Sequence, residues 1–264
     1  MSFSDMLLPG EIVEGLDTEV FGRKEILHFE ETDSTNARAR ELADRGAPEG
    51  TLVVAERQTQ GRGRKGRIWF SPPGAGIYAS LILRPSMPSH EATRITFVTA
   101  VAAAEALLHL TDLNVRIKWP NDILVNGRKV AGILTEISTE GRAVDYAVVG
   151  LGMNVNTPGF PDDISERATS ILIETGKRFP RTDLLREYLR RQEATLRRLR
   201  TSGFEPILRR WKGLADTIGK EVRVEMTDRT HVGWVEDIDS EGVLILKDRK
   251  GVSHRIVSGD VVFL

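Results

Sequence analysis

The sequence predicts an α+β fold: a mixed, largely antiparallel sheet with helices over residues 1–214, then a small SH3-like β-barrel over residues 215–264. Three observations carry that expectation. Strand-like and helix-like segments are interspersed, but hairpin turns join many of them where a doubly wound fold would show regular βαβ alternation. Asn126-Gly127 is a strong two-residue hairpin signal, and Glu140-Gly141 a weaker one. After Gly213 the texture changes, and "GKEVRVEMTDRTHVGWVEDIDSEGVLILKDRKGVSHRIVSGDVVFL" sets short strands between Gly and Asp turns.

The elements follow in order. Pro9 and Gly10 are expected to break any early helix. Asp33, Ser34 and Thr35 are capping candidates before a helix-like run that Gly46 closes. The β-branched run "TLVVAERQ" (51–58) reads as a strand, as does "GIYASLILRP" (76–85), which Pro85 stops. Residues 89–110 form a long helix whose alanine-rich face suits close packing on a sheet. Short strands follow around "VRIKWP", "DILVNGRKVAGILTEIS" and "RAVDYAVVGLGMNVN". Segment 182–213 reads as a basic helix, with Leu184, Leu185, Tyr188, Leu189, Leu196 and Leu199 on one apolar stripe.

Composition narrows the chemistry. With 264 residues and 40% apolar side chains the chain can bury a full core. It has no cysteine, which removes disulfides, thiolate metal sites and cysteine nucleophiles. Its 37 Lys+Arg against 38 Asp+Glu leave a net charge of −1, so any basic site is local and a general nucleic-acid binder is disfavoured. The start "MSFSDMLLPGEIVEGL" lacks the basic, apolar pattern of a signal peptide, and no apolar run is expected to reach the ~20 residues of a membrane span. A cytoplasmic protein is the expectation.

Two clusters stand out. "GRGRKGR" (61–67) sets Arg62, Arg64, Lys65 and Arg67 among three glycines. It also reads G-x-G-x-x-G, but the following "RIWFSPPGAGIY" cannot open the helix that a dinucleotide loop needs. A nucleic-acid-binding RG tract would be repeated and disordered, and this copy stands alone between two strands. A solvated surface loop is the bland alternative. An anion-binding active-site loop fits better: glycines let the backbone approach a ligand, the cations supply charge, and their mutual repulsion keeps the loop mobile until an anion arrives. In "KWPNDILVNGRKVAGILTE" (118–136), Lys118 precedes a turn bearing Asn121 and Asp122, and Lys129 sits among small and apolar neighbours. Lys129 either lies at a hairpin edge or meets an anion.

Five segments in order resemble the motifs of the biotin–protein ligase family: "STN" (34–36), "Q-x-x-G-R-G-R-x-G-R-x-W" (Gln58 to Trp69), "KWPND" (118–122), "KVAGIL" (129–134) and "GLGMNVN" (150–156). The resemblance is closest over residues 26–160 and extends to the C-terminal barrel. It implies a catalytic domain similar to class II aminoacyl-tRNA synthetases, with biotin and ATP as substrates and Mg2+ as cofactor. The implied reaction forms biotinyl-5′-AMP, then biotinylates a lysine of a biotin carboxyl carrier protein. The physics agrees: a carboxylate and a triphosphate must meet, and unit charges ~4 Å apart interact by about 4 kcal/mol at an effective dielectric near 20.

Roles carried over from the resemblance are as follows. Ser34, Thr35, Asn36 and Gln58 would bind the ureido head of biotin, although helix capping also explains Ser34 and Thr35. Gly61, Arg62, Gly63, Arg64, Lys129 and Gly132 would complete the biotin site. Arg62, Arg64, Arg67, Lys118, Asn121 and Asn154 would bind ATP, with Trp69 either stacking on adenine or packing in the core. Lys129, Arg64, Lys118 and Asp122 would be catalytic, Asp122 being base, metal ligand with Asn121, or turn cap. Only about 25 residues precede the first catalytic strand, too few for a three-helix DNA reader, so no DNA partner and no membrane are expected. Either a monomer or a homodimer is compatible with the sequence. A lipoate- or octanoyl-transferring relative and a non-enzymatic biotin or nucleotide sensor are the alternatives.

Overall fold

A computed structural model describes residues 5–264. Strands β1 (Ile26–Thr32), β2 (Leu52–Gln58), β3 (Gly76–Leu83), β4 (Val115–Lys118), β5 (Asp122–Val125), β6 (Arg128–Glu140) and β7 (Ala143–Asn154) form one seven-stranded sheet. Its order is β1-β2-β3-β7-β6-β5-β4, and only β1 and β2 pair in parallel. The links explain the directions. Asn126 (φ 50°) and Gly127 (φ 77°) are both left-handed, as the tight turn between β5 and β6 requires, and such a turn can only return the chain antiparallel. Helix α1 (Pro9–Val13) precedes the sheet, and helix α2 (Thr35–Asp44) joins β1 to β2, whose parallel pairing needs such a crossover.

Helix α3 (Thr93–Leu110) belongs to the main core, and its Ala100, Ala102, Ala103, Ala104 and Ala106 are fully buried. By length and composition Ser89–Leu110 would pass for a membrane-crossing helix, against the expectation that no such run exists. Its apolar side chains, Ile95, Phe97, Val98 and Leu107 among them, are instead packed in the protein core. After β7 come two short helices, α4 (Asp162–Ser165) and α5 (Ile171–Thr175).

Two expectations about helices are corrected. Pro9 opens α1 instead of breaking it, because a first-turn N–H has no helical acceptor and its loss is harmless. The single helix expected over 182–213 is two, α6 (Arg181–Ser202) and α7 (Glu205–Leu214). Gly203 takes φ 77° and ends α6, and Pro206 is tolerated because it lies in the first turn of α7. The apolar stripe holds, with Leu184, Leu185, Tyr188, Leu189 and Leu196 buried and Leu199 partly so.

The C-terminal strands β8 (Glu221–Glu225), β9 (Thr230–Ile238), β10 (Leu244–Asp248), β11 (Ser253–Ile256) and β12 (Asp260–Phe263) form a five-stranded antiparallel sheet. Its order is β11-β10-β9-β8-β12, so β11 and β12 are its edges. Val222, Val224, Val235, Leu244 and Ile256 belong to the same apolar core as the large sheet. The Trp119 indole donates to the Gly242 carbonyl at 3.2 Å, tying the two sheets together beside the cavity described next.

Candidate active site

A cavity of about 760 Å³ lies over β6 and β7, walled by the Gly/Arg loop on one side and by β12 on another. Every sequence-predicted site residue except Gly61 lines it. Gly61 instead lets the loop close: a Cβ there would lie 2.5 Å from the Trp69 carbonyl oxygen. The loop is a small hairpin. Arg62 bridges Ile68, the Gly63 N–H donates to Arg67 O at 2.7 Å, and Lys65 (φ 56°) and Gly66 (φ 73°) turn its tip. A dinucleotide loop would have opened an α-helix here, whereas this one holds only a single 3-10 turn at Arg64–Gly66 before the chain runs on to β3.

The floor is built from glycines. Gly132 on β6 and Gly152 on β7 are register partners, and a Cβ on either would run into the Trp69 ring, at 2.4 Å from Cε2 for Gly152. The indole therefore lies against bare backbone, with the Lys129 ammonium 5.2 Å from its ring centroid. Its Nε1 is buried without a hydrogen-bond partner. Gly150, two residues before Gly152 and so on the same face, makes room for Asn36, whose Oδ1 would lie 2.1 Å from a Cβ.

At one end of the cavity, polar side chains bind one another. Gln58 Oε1 accepts from the Thr35 backbone N–H and hydroxyl at 2.9 and 3.1 Å, and Gln58 Nε2 donates to Ser71 Oγ at 3.1 Å. Asn36 donates to Glu136 Oε2 at 2.7 Å and to the Leu134 carbonyl, and accepts from Ser80 Oγ at 2.6 Å. Asn36 thus fixes α2 to the sheet. Ser34 stands at the N-cap position of α2, yet its side chain makes no capping hydrogen bond, so capping does not account for it.

At the other end, Lys129 on β6 lies 2.6 Å from Asp122 Oδ1, and Lys118 on β4 lies 3.5 Å from Asp122 Oδ2. Burial pushes the Asp122 carboxyl up, but Lys129 and then Lys118 outweigh it and hold the group below the ordinary carboxylate range. The backbone of Lys129 is pinned on both sides: its N–H donates to Arg167 O at 2.8 Å, and its carbonyl accepts from the Thr169 N–H at 2.9 Å. Asn121 Nδ2 donates to the Ile133 carbonyl at 2.7 Å, while its Oδ1 accepts from Arg64 at 3.1 Å. Burial pushes the Arg64 guanidinium down, with Asp260 and Asp122 opposing. Asn154 Nδ2 donates to Thr169 O at 3.0 Å.

Magnesium does not fit at Asn121 and Asp122. Both polar atoms of Asn121 are engaged, and both Asp122 oxygens face ammoniums. Among the described residues no group of three His, Cys, Asp or Glu side chains could hold a metal ion.

The site residues missed by sequence reasoning are Gly150, Gly152 and Asp260. The first two carried a readable signal, since "GLG" in a strand puts both glycines on one face. Asp260 carried none. It opens β12 and receives Arg64, Lys65 and Arg67, so three of the loop's four cations are paired. Arg62 is exposed.

Comparison with known proteins agrees with this geometry. Residues 28–154 match the Biotin/lipoate A/B protein ligase family, and residues 217–264 match the Biotin protein ligase C terminal domain. The bifunctional ligase/repressor BirA of Bacillus subtilis is 41% identical over 257 residues, 97% of this chain and 78% of that protein. A biotin–[acetyl-CoA-carboxylase] ligase of Paracoccus denitrificans is 39% identical over 230 residues, covering 83% of this chain and 93% of its own length. The biotin protein ligase of Aquifex aeolicus, solved with biotin and ATP, superimposes with a TM-score of 0.79 at 30% identity, covering 91% of this chain and 99% of the other. Identity spread over nearly the full length of such relatives, together with both domains in order, means that the chain belongs to the biotin protein ligase family.

Proposed function

We propose that this chain activates biotin with ATP and transfers it to a lysine of a biotin carboxyl carrier protein. The observation that carries this reading is the convergence of Lys118 and Lys129, from the 118–136 segment, with Arg64 of the Gly/Arg loop on one glycine-floored cavity. In the first step a carboxylate oxygen of biotin attacks the α-phosphorus of ATP. The bond from that phosphorus to the bridging oxygen breaks, and pyrophosphate leaves with the electron pair. In the second step the neutral amine of the acceptor lysine attacks the acyl carbon, AMP leaves, and the nitrogen loses a proton.

The chain's own residues do electrostatic and positioning work. Lys129 and Lys118 neutralise the two anions that must meet, and they are in place before substrate arrives, which is where such donors contribute most. Ser34 and the Thr35–Gln58 pair face the polar ring of biotin, with Asn36 holding α2 in position. Trp69 offers a flat surface for adenine, and Asn154 an amide oxygen. Asp122 positions the two lysines; with its carboxyl held low it is a weak base. Asn121 and Asp122, already engaged with Arg64, the Ile133 carbonyl and the two lysines, would supply no ligand to a magnesium ion.

The test is incubation with labelled biotin, magnesium ATP and a carrier domain. Covalent label on the carrier lysine is the expected result. Tight binding without transfer identifies a sensor, and transfer of lipoate in place of biotin selects the other branch of the family; either outcome removes the proposal.

A further inference from the structure

A chain of hydrogen bonds runs from β6 to the polar end of the cavity. It links Glu136 on β6, Asn36 and Thr35 on α2, Ser80 on β3 and Gln58 on β2. Ser80, Thr35 and Asn36 are buried. The direction of each bond follows from atoms whose roles are fixed, since a carboxylate and a carbonyl only accept. Glu136 Oε2 lies 2.7 Å and the Leu134 carbonyl 3.3 Å from the same Asn36 nitrogen, so the amide must turn Nδ2 toward them. Asn36 Oδ1 then accepts from Ser80 Oγ at 2.6 Å, which engages the single hydrogen of that hydroxyl. Ser80 Oγ also stands 2.8 Å from Thr35 Oγ1, and with its own hydrogen committed it accepts there. The other acceptor in reach of the Thr35 hydroxyl, Gln58 Oε1, is farther away at 3.1 Å. The hydrogens of the chain therefore all point toward Glu136. What is left at the cavity end is acceptor capacity, on Thr35 Oγ1 and on Gln58 Oε1. With the Asn36 amide turned over, Nδ2 would donate to Ser80, Ser80 to Thr35 and Thr35 to Gln58, and both oxygens would be occupied from behind.

Resting on the reading of this cavity as a biotin site, we propose that Glu136 is a positioning residue that sets its ligand preference. By accepting from Asn36 it keeps Thr35 and Gln58 as acceptors toward the cavity, and so selects a ring that donates N–H, as a cyclic urea does. A ring without N–H, such as the dithiolane of lipoate, leaves those oxygens unpaired, which is how a polar site rejects an analogue. Glu136 itself touches no ligand; it acts through Asn36, Ser80 and Thr35.

The test is titration calorimetry of biotin into the full chain without ATP. Glu136→Lys places a donor opposite Asn36 and is expected to weaken biotin about tenfold, the scale of one misdirected hydrogen bond. Glu136→Gln, which still offers an oxygen, is expected to recover most of that affinity, within about threefold of wild type. The chain runs through the Thr35 hydroxyl, so on a Thr35→Val background Glu136→Lys is expected to cost less than about twofold more. Wild-type affinity in Glu136→Lys overturns the proposal, as does a loss in Glu136→Gln equal to that in Glu136→Lys. An undiminished loss on the Thr35→Val background also overturns it, since Glu136 would then serve only the fold. Neutron diffraction on the unaltered protein guards against misfolded variants. It is expected to show the Asn36 deuterons facing Glu136 and Leu134 and the Ser80 deuteron facing Asn36; Asn36 Oδ1 facing Glu136, or the Ser80 deuteron on Thr35, overturns the proposal. A wild-type protein that binds no biotin removes the ligase reading together with this one, whereas the other adverse outcomes remove Glu136 alone.

Discussion

The ammonium of Lys129 lies 2.6 Å from the carboxylate of Asp122, on the neighbouring strand, with Lys118 at 3.5 Å on the carboxylate's other oxygen. One buried anion thus holds two cations at a fixed separation across three adjacent strands, β4, β5 and β6. All three side chains are partly buried in the cavity wall, so each charge acts on a ligand more strongly than it would in bulk solvent.

Lys129→Ala removes the cation closest to the expected biotin carboxylate. Biotin-dependent pyrophosphate release should fall by about 10²–10³-fold, the scale of losing one preorganised donor. The fold should survive, since Lys129 is half-buried and its backbone pins do not depend on its side chain. Pyrophosphate release beside a thermal melt separates the two effects, and release at the normal rate would remove Lys129 from the chemistry.

The pH dependence of the cluster has a definite sign. Asp122 is held low in the folded protein, so its contribution to stability is complete above its unfolded value of roughly 3.9 and is lost as pH falls through its folded value. Chemical denaturation of wild type and Asp122→Asn should show a constant difference from pH 7 to about 5, shrinking only in stronger acid. The activity profile should likewise show no limb belonging to Asp122 near neutrality. A neutral limb that vanishes in Asp122→Asn would make Asp122 a base after all.

Gly152→Ala places a Cβ 2.4 Å from the Trp69 ring and expels the indole from the glycine floor. We expect a loss of roughly 1–3 kcal/mol in stability from the overpacking, with ATP binding weakened at the same time. Gly159→Ala is the control, because a Cβ there meets nothing within 4 Å. Nucleotide titration and melting of the two variants should diverge; equal behaviour would mean that Trp69 does not need the floor.

Arg181→Ala tests the support behind the site. Arg181 is 1% exposed, and its guanidinium binds Glu56 at 2.8 Å, Asp5 at 3.1 Å and the Gly76 carbonyl at 3.0 Å. Removing it leaves Glu56 on β2 buried without its cation, a change of the kind that costs about 3–5 kcal/mol. Urea denaturation should show the loss as a lower midpoint at unchanged slope.

Much of the fold was legible from short-range chemistry. Asn126-Gly127 allowed one kind of turn, and that turn dictated antiparallel strands. The helix break at Gly203 was missed because the apolar stripe of α6 runs almost unbroken toward α7, and periodicity does not register one left-handed residue. Asn36 was legible as a motif residue, but its engagement with Glu136, Leu134 and Ser80 was not, since those partners arrive from other strands.

The amino-acid order by itself determined the strand and hairpin pattern, the supply of cations and the two segments that carry them, because turn geometry and side-chain alternation depend on near neighbours. Tertiary structure alone decided where those cations point. Arg67 and Asp260 stand 193 positions apart, and no local pattern relates them. They meet because a shared apolar core presses the small sheet against the large one, and charges so placed pair with whatever that packing brings within reach.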